Sequence, residues 1–177
     1  MPLDDLTPEL ELLRRNGLDP DAAGGLSSYL FVAFAGWFKT DDDLSTAFPV
    51  GILNQFAPPR HAYPYARYKG RDLGRPMTPD DRQFSLSFTV FAVSDDVAKF
   101  WGSLILSKLT DPSRDAFRWS EGGERFMETG FIPDGVCELM PVGKAGGLGN
   151  AAVAGQTLWA YTTPLKFDAR RLGPDEA

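Results

Sequence analysis

The side chains that most often carry catalysis or bind metals are scarce in this sequence. His61 is the only histidine and Cys137 the only cysteine, which excludes sites built from several imidazoles or thiolates. His61 stands between Pro-Pro-Arg and Ala-Tyr-Pro, a setting typical of an ordinary loop histidine, and any Ser-His-Asp arrangement would depend on it alone. Cys137 lies in an apolar stretch, so we expect it to pack as a small hydrophobic residue.

Three short motifs resemble binding loops but lack the rest of the pattern. The segment Gly147–Ala152 matches the dinucleotide fingerprint G-x-G-x-x-A, with Asp168 about 20 residues further on, yet no buried strand leads directly into it and no amphipathic helix follows. The residue after Gly143-Lys144 is neither Ser nor Thr, as a Walker loop requires. The acidic run Asp41–Asp43 lacks a calcium-loop spacing and is interpreted as the solvated end of a helix. We expect no cofactor, no metal site and no enzymatic activity.

A strip that interleaves aromatic and basic side chains is the most distinctive polar feature. Three interpretations of it remain open: a solvated strand face, a subunit contact with an acidic neighbour, or a surface for single-stranded nucleic acid. The strip consists of Tyr63, Tyr65, Arg67, Tyr68, Lys69 and Arg71.

The charge of the chain is unevenly distributed. Its 177 residues carry a formal net charge of −6 and the isoelectric point is near 4.8, which argues against sequence-independent binding of duplex DNA. Residues 57–76 hold five basic residues and one acidic residue, a local charge of +4 that leaves −10 on the remainder. Such polarity suits the docking of copies head to tail.

Three helices are predicted from caps and apolar spacing. A short helix is expected over Thr7–Gly17 and a largely buried one over Tyr29–Lys39. Ser94 or Asp95 is expected to cap a third helix, from Asp96 to about Leu109. Its apolar stripe is predicted to pack on a sheet and consists of Val97, Phe100, Trp101, Leu104, Ile105 and Lys108.

The strand pattern predicts an α+β fold, a mostly antiparallel sheet of about four to six strands with helices packed on one face. The clearest strand has Phe84, Leu86, Phe88, Val90 and Ala92 on one side. Other strands are expected over Val50–Ala57, Tyr63–Leu73 and Thr157–Ala169, and a hairpin is expected to join Phe126–Phe131 to Val136–Val142. Because Pro164 cannot donate to a ladder, the last strand is predicted to be an edge or to carry a bulge there.

The expected domain organisation is one α+β domain over residues 27–170, with an extended insertion at about 111–156. A helix and linker precede it at 1–26, and a flexible tail follows at 171–177. The first residues carry acids where a signal peptide needs basic residues before an apolar run, so we expect the protein to be made and kept in the cytoplasm.

The order of these elements resembles the tail terminator, or tail completion, proteins of long-tailed bacteriophages and phage-like particles. The resemblance covers about Ser27–Leu109 and Thr157–Arg170. The segments that carry it are the apolar helix Tyr29–Lys39, the strand Val50–Phe56 followed by Ala57-Pro58-Pro59, the strand opening Tyr63-Pro64-Tyr65-Ala66-Arg67-Tyr68, the strand Phe84–Ala92 running into a helix, and the closing strand. The leader Met1–Gly25 and the stretch Asp111–Gly155 are longer than the family pattern.

This resemblance implies a structural virion protein of the tail neck region. It implies a ring, expected to be a hexamer, that stops growth of the tail tube at its head-proximal end and joins it to the head connector. Its partners would be copies of itself, the tail tube protein and the connector, while DNA passes through an acidic lumen without specific binding. The alternatives are another connector or neck protein and, in a different class, a small ligand-binding or enzymatic domain with a pocket between the Trp37 helix and the sheet.

The sequence also nominates contact residues for such a ring. The subunit interface is predicted to use Arg60, Tyr65, Arg67, Lys69 and Arg71, with Arg67, Lys69 and Arg71 meeting acids of an adjacent subunit. Two loops are predicted to reach the tube or the connector, and their candidate residues are Gly74, Arg75, Arg82, Lys144, Leu148 and Asn150.

Overall fold

The computed structural model describes residues 28–49, 51–54, 63–74, 81–121, 123–145 and 153–176. The predicted helix Thr7–Gly17, His61 and the motif Gly147–Ala152 lie outside these residues. The described helices are α1 (Ser28–Thr40), α2 (Asp42–Ala47) and α3 (Asp95–Leu109). The described strands are β1 (Ile52–Asn54), β2 (Tyr65–Gly74), β3 (Asp81–Ala92), β4 (Arg118–Glu121), β5 (Glu124–Pro133), β6 (Glu138–Lys144) and β7 (Thr157–Arg171).

The seven strands form one sheet, which confirms the predicted mostly antiparallel α+β architecture with one strand more than expected. The order across the sheet is β1-β2-β3-β7-β5-β4, and β6 also pairs with β7. Among the described strand pairs, only β1–β2 is parallel. The short β1 and the long β2 correspond to the predicted strands Val50–Ala57 and Tyr63–Leu73.

Strand β3 shows why the sheet has one buried face. Its predicted alternation is confirmed: Phe84, Leu86, Phe88, Val90 and Ala92 are all buried. The ring of Phe84 stacks on that of Phe167 in β7, with centroids 5.0 Å apart. We call this buried side the inner face and the opposite side the outer face. All three described helices contribute buried residues to the inner face.

Helix α1 confirms the predicted apolar helix, and Asp42 and Asp43 of the acidic run after it are exposed, as expected, but they also begin a second helix. Asp41 is the N-cap of α2, and its carboxylate accepts hydrogen bonds from the backbone amides of Asp43 and Leu44, both at 3.0 Å. The same carboxylate lies 2.8 Å from Nζ of Lys108 in α3. The second helix was not expected, because a residue that caps the next helix has the same sequence signature as a solvated helix end.

Helix α3 has the predicted cap and length, but it is rotated relative to the predicted stripe. Ser94 is the N-cap, and its hydroxyl lies 3.5 Å from the amide of Val97. The residues that face the sheet are Ala98, Gly102, Ile105 and Leu109. The small Gly102 allows the helix to approach closely, because a Cβ built there would lie 2.1 Å from Cδ1 of Tyr161. The predicted stripe was therefore wrong for Val97 and Phe100, which are exposed.

The predicted hairpin between β5 and β6 is wrong, although both strands exist. Each pairs antiparallel with β7, β5 along its second half and β6 along its first. The two strands therefore run in the same direction, one after the other, beside one long partner. Residues 134–137 separate β5 from β6 without reversing the direction of the chain. Among them, the amide of Asp134 donates to the carbonyl of Pro164 in β7 at 3.0 Å.

Strand β7 is central, not the edge that Pro164 suggested. It pairs with β3 without a register shift at Pro164. Pro164 lies where the partner on the other side changes from β6 to β5. Because its carbonyl points to that side, its nitrogen does too, so the missing N–H falls in the gap between the two partners.

The stretch predicted as an insertion supplies β4, β5 and β6 to the same sheet. Between α3 and β4, Arg114 forms an ion pair with Glu128 of β5, and both side chains are largely buried. The Arg114 guanidinium also lies 4.5 Å from the ring centroid of Phe117. This segment is thus an integral part of the inner face.

The described part of the predicted tail is held against the sheet. Arg171 is the last residue of β7. The amide of Leu172 donates to the carbonyl of Arg125 at 2.8 Å, and Arg125 donates from its guanidinium to the carbonyl of Gly173 at 2.8 Å. These bonds fix the chain beyond β7 to β5.

Candidate subunit interface

Of the predicted strip of aromatic and basic residues, Tyr65, Arg67 and Lys69 lie together on the outer face, whereas Tyr68 belongs to the inner face. In β2, Ala66 and Tyr68 are buried on the inner face, so Tyr65, Arg67 and Lys69 point the other way. Opposite them on β3 lie Phe91, Thr89 and Ser87, in register. We call these six residues the outer strip: Tyr65, Arg67, Lys69, Ser87, Thr89 and Phe91.

Ring contacts order the aromatic end of the outer strip. Tyr65 stacks on Phe91 with centroids 4.8 Å apart and an interplanar angle of 16°, and the Tyr63 ring lies 5.7 Å from that of Tyr65. The guanidinium carbon of Arg67 lies 5.3 Å from the centroid of Phe91, a cation–π distance. Phe91 therefore holds both the aromatic and the cationic parts of the strip in place.

A shallow depression of about 480 Å³ opens on the outer strip. It extends from Arg67 and Lys69 across β3 to Thr162 of β7. Its floor is hydroxyl-rich, and the Thr89 and Thr162 hydroxyl oxygens are 2.9 Å apart in a hydrogen bond. Burial raises the pKa of Tyr65 although nearby Arg67 opposes the effect, so its phenol is neutral at physiological pH. The surface combines cations and hydroxyl groups, which suits carboxylate partners.

The structure describes only some of the other residues predicted for the subunit interface. Arg71 occupies the β2 position that pairs with Ser85, two residues after Lys69. Arg60 lies outside the described residues, as do three of the predicted loop residues, Arg75, Leu148 and Asn150.

The three described loop candidates lie at opposite ends of the sheet. Gly74 is the last residue of β2, and Lys144 is the last residue of β6, paired with Thr157 at the start of β7. Arg82 is not in a loop but in β3, paired with Ala169. Its guanidinium carbon stacks over the rings of Phe84 and Phe126, 5.2 and 5.3 Å from their centroids. The 12 residue steps between Thr157 and Ala169 correspond to about 40 Å along the strand.

Sequence reasoning missed two exposed apolar surfaces. The first is on α3, where Val97 and Phe100 have 38% and 60% of their surface exposed. The signal that could have placed them outside was the spacing of the small residues Ala98 and Gly102, which mark the close approach to the sheet. The second is β6, all of whose residues are exposed, including Leu139, Met140 and Val142.

The expected roles of Cys137 and of the α1 region can be compared with the described contacts. Cys137 packs with Trp159 against a small cluster of Ala92, Ala98 and Tyr161, which confirms that it behaves as a small hydrophobic residue. The alternative function requires a pocket between the Trp37 helix and the sheet. There the ring centroids of Phe34 and Trp37 lie 6.0 and 5.8 Å from that of Phe117. The described part of that space is packed core.

No family model and no curated protein matches this sequence. Within the described ranges, no group of three or more His, Cys, Asp or Glu side chains is arranged to hold a metal ion. Among the helices that the structure describes, none has both the length and the apolar content needed to cross a membrane.

Proposed function

We propose that this protein is a structural subunit of a ring that closes the head-proximal end of a phage tail tube and joins it to the head connector. The single observation that carries the proposal is the outer strip. It places aromatic rings and cations on the sheet face to which no described helix contributes core residues. A sheet that buries one face and exposes aromatic and cationic side chains on the other is suited to contact with a neighbouring copy.

The ends of the sheet support a joining role. The Gly74 end and the Lys144 end are separated by about 40 Å along the strands, so these two residues lie at opposite ends of the sheet. A subunit that contacts its neighbours through its sheet faces keeps both ends available. One end would then meet the tube and the other the connector, as a terminator requires.

The charge distribution supports contact between unlike surfaces of identical copies. The cations of the outer strip belong to the +4 region of a chain that carries −10 elsewhere. A contact between two different patches of one chain is heterologous, and it closes into a ring when the rotation between subunits is right.

The test is to image the chain with its tail components. Coexpression with the tube protein, followed by negative-stain electron microscopy, is expected to show one ring of this chain at the upper end of the tube. Uncapped tubes of uncontrolled length despite its presence would refute the proposal. A ring bound to isolated connectors but absent from tubes would favour the neck-protein alternative.

The subunit contact has its own test, a triple charge reversal of Arg67, Lys69 and Arg71 to Glu. We expect this variant to keep the circular dichroism spectrum of the native chain and to lose the ring. Rings of unchanged abundance would show that the strip is only solvated.

A further inference from the structure

The exposed residues of α3 form a compact surface with a chemistry complementary to the outer strip. Asp96 and Phe100 are one helical turn apart and share a face, and Val97 adjoins them. All three are exposed, and Phe100 is 60% exposed although its ring centroid lies 5.1 Å from that of Trp101. We call these residues, Asp96, Val97 and Phe100, the α3 ridge. It pairs apolar surface with a carboxylate, whereas the outer strip pairs aromatic surface with cations.

The α3 ridge and the outer strip lie on opposite faces of the sheet. The residues of α3 that point away from the ridge, Ala98 and Gly102, pack on the inner face. The strip residues of β2 and β3 point to the outer face. One subunit thus carries the two halves of a contact back to back.

The two surfaces also lie at the same level along the strands. Phe91 of the strip pairs with Ala160, next to Tyr161, whose ring lies against Gly102. Ala98 belongs to the same small cluster as Ala92 and Tyr161. The first turns of α3 therefore sit directly behind the Phe91 end of the strip. A copy docked through these surfaces needs no displacement along the strand direction, which favours a closed ring over a helical filament.

We propose that the α3 ridge of one copy docks on the outer strip of the next copy. This inference rests on the proposed ring function and names its subunit contact. Phe100 meets the aromatic and hydroxyl-lined depression beside Phe91, and Asp96 approaches Arg67 and Lys69. The strands then run parallel to the ring axis, and both ends of the sheet stay free for tube and connector.

The test uses one variant for each half of the contact. Phe100→Arg introduces a cation that repels the strip and removes the apolar anchor, while Arg67→Glu/Lys69→Glu repels Asp96. Ser107→Arg is the matched control, because Ser107 is exposed on the same side of α3 but two turns, or about 10 Å, from Phe100. Phe100 lies outside the core, so we expect all three proteins to unfold near the wild-type temperature.

Light scattering after size-exclusion chromatography measures the assembly of each protein. We expect each contact variant to raise the concentration needed for ring formation at least about tenfold, and the control to leave it unchanged. An equal mixture of the two contact variants brings the intact ridge of one chain against the intact strip of the other, so it is expected to form 1:1 heterodimers at concentrations at which neither variant associates alone. If the wild type assembles only on tubes, the same proteins are scored by occupancy of the tube end.

The outcomes separate this inference from the proposed function. Rings formed by Phe100→Arg as readily as by the wild type would overturn the ridge contact and leave the ring function standing. Self-association of the Arg67→Glu/Lys69→Glu variant at the concentration at which the wild type assembles would show that the strip does not carry the contact and would overturn the inference. A wild-type chain that forms no ring alone and occupies no tube end would overturn the proposed function and, with it, the contact.

Discussion

The buried ion pair between Arg114 and Glu128 allows a quantitative prediction for the substitution Glu128→Ala. The Glu128 side chain is 2% exposed and accepts hydrogen bonds from Arg114, from the amide of Phe117 at 3.3 Å and from the amide of Gly130 at 2.7 Å. Its removal leaves a buried guanidinium and two buried or partly buried amides without this acceptor. Arg114 keeps its hydrogen bond to the carbonyl of Leu109 at 3.2 Å, which offsets part of the loss.

Removing one partner of a buried ion pair costs about 4 kcal/mol. We therefore expect the free energy of unfolding to fall by that amount, a large share of the roughly 5–15 kcal/mol typical of a domain. At about 3 °C per kcal/mol for a chain of this size, the melting temperature should fall by about 12 °C. Urea unfolding followed by tryptophan fluorescence measures the change.

Two controls distinguish a buried ion pair from a general loss of packing. Glu124→Ala removes the exposed ion pair with Arg171, in which both side chains are more than one third exposed, and should cost less than about 1 kcal/mol. The double variant Arg114→Met/Glu128→Leu replaces both charges by apolar groups and should be more stable than Glu128→Ala alone. A Glu128→Ala variant within about 1 kcal/mol of wild type, or a double variant no more stable than Glu128→Ala alone, would refute this reasoning.

Two further predictions concern the helices. Gly102→Ala should destabilise the protein by about 1–3 kcal/mol, because the new Cβ would lie 2.1 Å from the Tyr161 ring. Gly36→Ala, at a helix position where a Cβ would meet nothing within 4 Å, should instead stabilise the protein by up to about 1 kcal/mol. Equal urea midpoints for the two variants would contradict this prediction. Burial raises the pKa of Asp41, but the hydrogen bonds from Lys108 and from two amides of α2 outweigh it and hold the pKa below 3.8. The stability that Asp41 contributes is therefore present above that pH and is lost as the pH falls through the lower folded value. Asp41→Ala should cost about 1 kcal/mol at pH 7 and progressively less below pH 4, and a cost that is the same at pH 7 and pH 2.5 in urea titrations would count against it.

The sequence predicted those features that depend on neighbours along the chain. The alternation of Phe84 to Ala92 identified β3, because a strand with one buried face must repeat with period two. The apolar spacing of α1 and the cap at Ser94 also involve residues that are close in sequence, and they identified α1 and the start of α3. The placement of Arg67 and Lys69 on one face of β2 followed from the same period, so the cationic part of the candidate interface was found before the structure.

The features missed by the sequence depend on which distant segments meet. The residues Pro133, Asp134 and Gly135 are typical of a turn, and only the length of β7 shows that β5 and β6 continue along it instead of pairing with each other. Pro164 indicated an edge strand, yet β7 is central, because two partners end at that residue. The helical spacing placed Phe100 of the α3 ridge in the core, and only the contact between α3 and β7 shows that it is exposed.

The sequence by itself determined where α1, α3 and most of the strands lie and which side of β2 and β3 is buried, since these depend on contacts over a few residues. Only the tertiary structure decided the orientation of α3 and the strand order. The rotation of α3 is set by the fit of Gly102 against the ring of Tyr161, which are 59 positions apart in the chain. Close packing of that kind depends on the shapes of residues brought together from far apart, and no local pattern records it.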